Sequence, residues 1–476
     1  MLSKRSRVFS SLLIAGILAS TAPASADERP NILFILADDL SWSDLGSYGN
    51  PWFETPHLDR LASQGARFTR AYSAAPICSA SRAAILTGKT PARLGFEFVT
   101  KPDPGFQTVN APLRAPRFTL NLPLEETTIA EALNEEGYET AFFGKWHLNQ
   151  HYQRYLGWSP THGPKAQGFA VAEEDFGSHP YAYWGDKKKR TFLDLKDGEF
   201  VKDGLTERAI RFIKKDHEDP FFLMVSHFYV HDPIHTRVKW LHDHYLDKIP
   251  ADHPRREILA HYGAMVTSLD HYVGQLLDAL DKAGLSDSTY VTFTSDNGGH
   301  PNYAGNAPLR GSKWNLYEGG IRVPMITRWP DKITAGSTVT EPVSGVELFS
   351  TFQSLATTGT KPAGPGEDHY WHFPYYHPEK KFKAAPAEIG INDGVTSQTR
   401  PHSAIRRGHW KLIQFYENSN IELYDLTVDP YEQSDLSQSN PEKATELREA
   451  LNQQLEKAGA RLPTRNPDYV PEGGAE

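Results

Sequence analysis

The sequence predicts an α/β fold: a large, mostly parallel sheet flanked by helices, followed by a smaller subdomain of antiparallel sheet plus helix. Three observations carry that prediction. Four short apolar runs end abruptly in polar clusters, helical patterns alternate with them, and the texture of the chain changes from about residue 362 onward. Continuous apolar runs of this kind suit strands buried on both faces, as in a parallel sheet.

The elements follow in order along the chain. The run Asn31–Ala37 leads straight into Asp38-Asp39. Residues 127–136 read as a helix that stops before Gly137, which suits a C-cap. Residues 139–143 then end at Gly144-Lys145-Trp146-His147. A helical pattern over 203–216 precedes Phe221–Ser226, which leads to His227 and on to His231-Asp232. A longer pattern over 258–283 precedes residues 290–294, which end at Ser295-Asp296-Asn297-Gly298-Gly299. Strands alternating with helices indicate a parallel sheet, and in such sheets ligands bind beyond the carboxyl ends of the strands. The four polar clusters sit at those ends. Beyond 362, Pro and Gly recur through 362–366 and aromatic residues crowd 370–377. Strand-like runs at 404–407, 410–413 and 422–426 precede a helix over Pro441–Ala458. The tail 461–476, rich in Pro and Gly, reads as poorly ordered. The chain therefore divides into a leader over 1–26, a large N-terminal domain over 27–361 and a smaller subdomain over 362–476.

The leader reads as a signal peptide. Lys4, Arg5 and Arg7 precede a mostly apolar stretch over 8–19, and Ala24-Ser25-Ala26 offers the small residues that a signal peptidase needs. An uncleaved anchor is the alternative. Export to the periplasm or beyond the cell is expected, with no transmembrane segment in the mature chain. The 476-residue chain carries a formal charge of −9, and removing a leader that has three cations and no acid makes it more negative. That balance argues against non-specific binding to nucleic acid. Exported proteins can form disulfides, yet this one has a single cysteine, Cys78, with no intrachain partner. By itself such a residue is most simply a small buried hydrophobe.

Its neighbours say otherwise. In Cys78-Ser79-Ala80-Ser81-Arg82-Ala83-Ala84-Ile85-Leu86-Thr87-Gly88-Lys89 a nucleophile-bearing loop opens onto a helix, where backbone N–H groups and Arg82 can meet an anion. Elsewhere, Asp38-Asp39 at one strand end repel each other unless a cation neutralises them, and Asp296-Asn297 stand at another. Either pair alone is explained by capping or turn formation. Together they bring only oxygen ligands, which favours Ca²⁺ or Mg²⁺.

The Cys78–Lys89 segment resembles the signature of type I, formylglycine-dependent sulfatases of the alkaline-phosphatase-like superfamily, and bacterial arylsulfatases and polysaccharide sulfatases in particular. Ala80 stands where Pro is commoner. The resemblance continues through Asn31–Ala37 with Asp38 and Asp39, through Gly144-Lys145-Trp146-His147-Leu148, through the segment ending in Val230-His231-Asp232-Pro233, where Asp232 replaces the usual Thr, and through Thr294-Ser295-Asp296-Asn297-Gly298. Leu309-Arg310-Gly311-Ser312-Lys313, with Glu318-Gly319-Gly320 beyond it, resembles the loop that supplies a lysine to the sulfate. The resemblance implies that a formylglycine-generating maturation enzyme converts Cys78 to 3-oxoalanine (formylglycine). It also implies one Ca²⁺ per chain held by Asp38, Asp39, residue 78, Asp296 and Asn297. The catalytic set it implies is Cys78, Arg82, Lys145, His147, His231 and Lys313. One hydroxyl of the aldehyde hydrate would attack sulfur, and the other would let the hemiacetal collapse and expel sulfate. Arg82, Lys145 and Lys313 would hold the sulfate oxygens, His231 would protonate the leaving alcohol, and His147 would help the hemiacetal break down.

Two other readings share this pattern: a formylglycine-dependent phosphodiesterase or phosphonate monoester hydrolase, and a catalytically silent glycan-binding protein. The complete set of Cys78, His147, His231 and Lys313 argues against the second. Export and the resemblance to polysaccharide sulfatases make a sulfated carbohydrate the expected substrate. His300, Arg310, Trp314 and His372 are candidates to contact it, each equally explained by packing between subdomains. The run Lys187-Lys188-Lys189-Arg190 can steer a polyanion or simply form a solvated loop. His227 and His235, which flank His231, read as structural or substrate-contacting, the structural role being the simpler.

Overall fold

The computed structural model describes residues 29–360, 368–377 and 399–471, together with the two-residue strands Lys383–Ala384 and Ser397–Gln398. The leader over 1–26 and the stretch 362–366 lie outside the described residues. The large domain lays down strands β1 (Asn31–Ala37), β2 (Ala66–Tyr72), β3 (Glu139–Gly144), β4 (Val171–Glu173), β5 (Phe221–Ser226), β6 (Thr289–Ser295), β7 (Arg322–Arg328), β8 (Ser337–Val339) and β9 (Val343–Ser344). Among the described residues they form a nine-stranded sheet in the order β9-β2-β7-β6-β1-β5-β3-β4, with β8 also paired to β2. Strand β1 is parallel to β5 and β6, and β3 is parallel to β5 and β4. Strand β7 is antiparallel to both β6 and β2. Two reversals restore the direction of β2, so the carboxyl ends of β1, β2, β3, β5 and β6 all lie on one edge.

Both faces of this sheet are covered because successive side chains alternate while both sets are apolar. On one face Leu33, Ile35 and Ala37 of β1 join Leu205, Leu241, Leu269 and Leu276 from the helices Gly204–Ile213, Lys239–Lys248 and Arg256–Ala283. On the other, Ile32, Phe34 and Leu36 meet Leu86, Leu133 and Phe352 from the helices Cys78–Thr87, Ile129–Glu135 and Glu347–Thr358. The expected helix over 127–136 spans Ile129–Glu135, because Thr128 caps it in a reciprocal box with Glu131. The pattern over 203–216 gives Gly204–Ile213, which Asp203 caps by accepting from Thr206 N. None of the helices among the described residues is long and apolar enough to cross a membrane.

The smaller sheet, β10 (Asp368–Phe373), β11 (His402–Arg407), β12 (Trp410–Phe415) and β13 (Ile421–Asp425), is antiparallel throughout. Its outer face packs Ile405, Leu412 and Leu423 on Leu447 and Leu451 of the helix Pro441–Ala458. Its inner face presses Trp371, Phe373, Ile413 and Tyr424 against Tyr72, Ile77 and Leu316 of the large domain. Trp371 Nε1 donates to Ser73 O at 2.8 Å across that contact. Under it lies a buried ionic strut. Lys411 Nζ sits 2.9 Å from Glu318 Oε1 and 2.8 Å from Glu432 Oε1, and Tyr72 donates to Glu318 Oε2 at 2.8 Å.

Over 461–471 the tail differs from expectation, while 472–476 lie outside the described residues. Arg461 pairs with buried Glu97, and Thr464–Arg465 forms an antiparallel bridge with Leu113–Arg114. A partner about 350 residues upstream in sequence supplies the order that local composition does not.

Candidate active site

Six segments converge beyond the carboxyl edge of the large sheet. Strand β1 ends in Asp38 and Asp39, β6 in Asp296 and Asn297, β3 in Lys145 and His147, and β5 leads to His231. After β2 the chain turns through Ile77, an extended N-cap, into a helix whose first residue is Cys78. The loop between β6 and β7 supplies Lys313. Backbone bonds knit these ends together: Lys145 N donates to Ser226 O (2.8 Å), His227 N to Leu36 O (2.9 Å) and Asp296 N to Ala37 O (3.1 Å). Gly144 permits the first of these contacts. It has φ +109°, and a Cβ there would lie 1.9 Å from Ser226 O.

The buried charges interlock. Arg82, five-sixths of a turn beyond Cys78 plus one residue along the same helix face, donates from Nε to Asp296 Oδ2 (2.8 Å) and from Nη1 to Lys145 O (2.8 Å) and Ser226 Oγ (2.5 Å). Lys145 Nζ reaches Asp38 Oδ2 at 2.5 Å, and Lys313 Nζ reaches Asp39 Oδ2 at 2.7 Å. Cys78 Sγ lies 3.8 Å from Asp39 Oδ1. His231 points Nε2 at Asp39 Oδ2 (3.7 Å), while its Nδ1 is held by Asp232 O (2.7 Å) and Tyr181 Oη (2.9 Å). His147 is fixed through its own carbonyl, which accepts at 2.7 Å from Oγ of Ser79, the residue after Cys78. Asp39 and His147 hold positive φ values of 60° and 57°. Left-handed non-glycine residues store strain of about 1–3 kcal/mol each and gather at functional sites.

The electrostatics follow from burial and from the cations. Burial alone would raise the Asp39 carboxyl, but Lys313, His231 and Lys145 hold it well below the usual carboxylate range. Burial and the facing Asp38 push Asp296 upward against the pull of Arg82. Burial pushes the Cys78 thiol up although Lys145 and Lys313 oppose it, so the unmodified side chain stays protonated and a poor nucleophile. Burial, with Lys145 next, lowers His147; burial with Lys145 and Lys313 brings His231 down to about 3.

Asp38, Asp39, Asp296 and Asn297 gather at neighbouring strand ends, where Asp39 N donates to Asp296 Oδ1 at 3.2 Å. Asp38 Oδ1 and Asn297 Oδ1 are buried there without a hydrogen bond, since Asn297 Nδ2 is turned to Asp39 Oδ1 (2.8 Å) and Gly298 O. Orphaned buried oxygens of this kind cost free energy unless a cation takes them. One ligand atom each from Asp38, Asp39, Cys78 and His231 also lies within 4.8 Å of the other three. The donor set fits a hard divalent cation.

The candidate substrate contacts separate into two groups. His300 stacks on Tyr303 and meets the edge of Trp314 (4.9 Å), and Lys313 Nζ lies 5.4 Å above Trp314, so both rings border the charged centre. Arg310 turns away: its guanidinium covers Tyr317 and donates to Tyr424 Oη (2.8 Å) and Glu432 O (3.0 Å), beside a polar cavity of about 550 Å³. His372 is buried in the small sheet, bonded to Ser403 Oγ (2.7 Å) and Arg461 O (3.1 Å). These two therefore pack within and against the small subdomain instead of joining the centre. The run at 187–190 is a turn capped by Asp186, with Arg190 stacked on Trp184. His227 is buried and stacks on Tyr272. Ser226, His179 and Tyr181 were not among the predicted residues. Ser226 closes an apolar run and could have been noticed as the polar residue at a strand end. His179, which donates Nε2–H to His231 O, and Tyr181 carry no local signal.

Comparison with known proteins identifies the family and the fold. The family model described as Sulfatase matches residues 30–358, and that described as N-sulphoglucosamine sulphohydrolase, C-terminal, matches residues 312–461. An N-acetylgalactosamine-6-sulfatase of Mus musculus is 35% identical over 379 residues, covering 73% of this chain and 65% of that protein. This chain thus spans just under two thirds of that relative's length. A Sulfatase of Formosa agariphila is 29% identical over 520 residues, covering 92% and 91%. Among solved structures, Ps i-CgsB in complex with k-i-k-neocarrahexaose superposes with a TM-score of 0.68 at 27% identity, covering 94% and 95%. The phosphonate monoester hydrolase of Agrobacterium radiobacter shares the fold with a TM-score of 0.64 at 19% identity, covering 92% and 97%.

Proposed function

This chain belongs to the sulfatase family, and from that membership we propose that it is an exported sulfuric ester hydrolase acting on a sulfated carbohydrate. One observation carries the reading: Cys78 opens a helix directly against a centre where three buried carboxylates, Asp38, Asp39 and Asp296, are matched by three buried cations, Arg82, Lys145 and Lys313. A divalent cation added to that balanced set leaves an excess of positive charge, which a sulfate ester can offset. The sugar is suggested by relatives named for N-acetylgalactosamine 6-sulfate hydrolysis and by the oligosaccharide carried by Ps i-CgsB.

In this reading a maturation enzyme oxidises Cys78 to formylglycine, whose hydrate supplies a nucleophilic hydroxyl and a second hydroxyl for release of sulfate. Asp38, Asp39, Asp296, Asn297 and residue 78 would hold Ca²⁺, which when bound would supply Lewis-acid stabilisation of the anionic oxygens. The chain's own groups do the rest. Lys145 and Lys313, already fixed by carboxylates, face the sulfate oxygens and offset charge that grows in the transition state. Arg82 anchors Asp296 and the ends of β3 and β5, so it keeps those donors in register. His231 presents Nε2 to the centre because Asp232 O and Tyr181 hold Nδ1, so a proton taken up at Nε2 once the anionic ester is bound would be placed for the leaving oxygen. His147, whose carbonyl is tied to Ser79 next to residue 78, would take a proton from the second hydroxyl.

The test is free sulfate release from a panel of sulfated oligosaccharides, with protein co-expressed with a formylglycine-generating enzyme. A phosphodiester and the Cys78→Ala variant are included. Release from one sugar class, absent in the variant, is the expected result. Silence on every sulfated sugar, with modified residue 78 verified by mass spectrometry and clear phosphodiester turnover, would overturn it.

A further inference from the structure

On the surface of the large domain, away from the charged centre, the helices Lys239–Lys248 and Arg256–Ala283 bring His242, Glu257 and His261 together. We propose that these three residues form a second metal site, selective for a borderline-soft divalent cation such as Zn²⁺, which clamps the two helices to each other.

Three observations support it. First, one ligand atom from each of the three lies within 4.8 Å of the other two, with His242 Nε2 3.2 Å and His261 Nε2 3.9 Å from the same Glu257 Oε1. Donors around a tetrahedral zinc are roughly 3.4 Å apart, given bonds of about 2.0–2.1 Å. The observed spacing therefore needs rotamer adjustment and no movement of the helices. Second, His242 is only 4% exposed, yet neither ring nitrogen makes an aligned hydrogen bond, although Nε2 lies 3.2 Å from Glu257 Oε1 and Nδ1 3.8 Å from Asp243 Oδ1. Buried polar atoms left in that state carry a cost, and a cation bound at Nε2 removes it there. Third, Glu257 and His261 stand at i and i+4, so one helical face presents both, the spacing that helical metal pairs use.

Neighbouring rings enclose the site. Phe192 covers both rings, with centroids 5.2 Å from His242 and 6.2 Å from His261, and His235 stacks on His261 at 5.0 Å. Glu257 is 72% exposed, which leaves a path for the ion from solvent. The cost is one long bond: Thr236 N donates to His261 Nδ1 at 3.3 Å, and coordination through Nε2 would place a proton on Nδ1 and break it. A zinc–imidazole bond outweighs a hydrogen bond of that length. The clamp would also brace the segment 231–238, because Thr236 and His235 both rest on His261.

Zn²⁺ titration by calorimetry in excess Ca²⁺, and Co²⁺ titration read by visible absorption, test this on the full protein. We expect one equivalent of micromolar or tighter Zn²⁺, a tetrahedral Co²⁺ spectrum and a rise in Tm. Glu257→Gln should weaken binding at least about tenfold, and His242→Phe, which keeps the packing, should abolish it. Asp38→Ala should leave it intact. Equal Zn²⁺ binding in wild type and His242→Phe, loss of binding in Asp38→Ala, or no binding up to about 1 mM would each overturn the proposal.

Discussion

Two buried ionic clusters in this molecule are built from similar parts and do different work. The strut between the sheets places Lys411 between Glu318 and Glu432, with Tyr72 and Arg322 on the remaining oxygen of Glu318 and the Glu318 N–H on Glu432 Oε2. Its groups belong to both sheets, and its bonds hold them in place. The centre at the sheet edge has as many cations as carboxylates, yet Asp38 Oδ1, Asn297 Oδ1 and His147 Nδ1 make no hydrogen bond. Its backbone is also strained at Asp39 and His147. In the strut Glu432 Oε1 also lacks a hydrogen bond, but it lies 2.8 Å from the Lys411 cation. A cluster that serves chemistry keeps more of its atoms in reserve for a ligand.

Four experiments bear on that contrast. The largest effect falls on activity alone: Cys78→Ala should drop sulfate release to background, at least about 10⁴-fold, with the urea midpoint unchanged. A large loss of stability would make Cys78 part of the packing instead. Next, Lys411→Met leaves Glu318 and Glu432 facing each other without their cation and should cost about 3–5 kcal/mol of stability. Activity per folded molecule should survive; if kcat falls as far as it does in a Lys313→Ala variant, the two clusters are not functionally distinct.

The third prediction concerns pH. His402 accepts from Leu316 N at 2.9 Å through Nε2 and donates from Nδ1 to Arg400 O, so its buried ring must stay neutral. Burial first, eased only slightly by the Arg400 carbonyl, brings its pKa down to about 4 from 6.5. A depressed histidine pKa contributes stability that is full above 6.5 and is lost as pH falls through about 4. That amounts to at most about 3 kcal/mol. Urea midpoints between pH 7 and 4 should fall less steeply in His402→Gln, whose amide can also accept from Leu316 N; an unchanged slope would assign the acid sensitivity elsewhere. The smallest effect is ligand-specific. Ca²⁺ at about 100 times its Kd should stabilise the wild type by about 2.7 kcal/mol, and Asn297→Ala should lose most of that gain. The Lys411→Met variant should keep it.

The contrast also explains what the sequence revealed. Asp38, Asp39, Lys145, His231, Asp296 and Asn297 were legible because each follows a continuous apolar run, and a parallel sheet forces such ends to one edge. Cys78, Arg82 and Lys313 were legible through resemblance. The strut was not: Glu318, Lys411 and Glu432 sit in three segments with no shared local pattern, and only the packing of β12 under Tyr72 unites them. Arg310 and His372 look like substrate contacts in one dimension, yet one is used by Tyr424 and Glu432 and the other by Ser403 and Arg461. Tyr181 meets His231 because the loop before the helix Gly204–Ile213 folds across the edge, which no short window records. The ordered tail depends on Leu113–Arg114, equally invisible to local composition.

The reversed strand β7 has a consequence for how this architecture can diversify. Because β7 enters the sheet antiparallel to β6, the chain between them leaves and returns at the same edge. Asp296 and Asn297 are pinned at its start, Gly298 N is tied to Gly320 O near its end, and Lys313 N bonds Gly299 O midway. Those ties make the intervening segment a closed cassette, anchored at its mouth. Inside it Asn306 bonds both the N–H and the carbonyl of Gly299 at 3.0 Å, and Gly305 O accepts from Ser43 Oγ at 2.6 Å, so this stretch is itself part of the anchor. A loop graft between β6 and β7 that is to leave the charged centre fixed therefore has to keep Asn306.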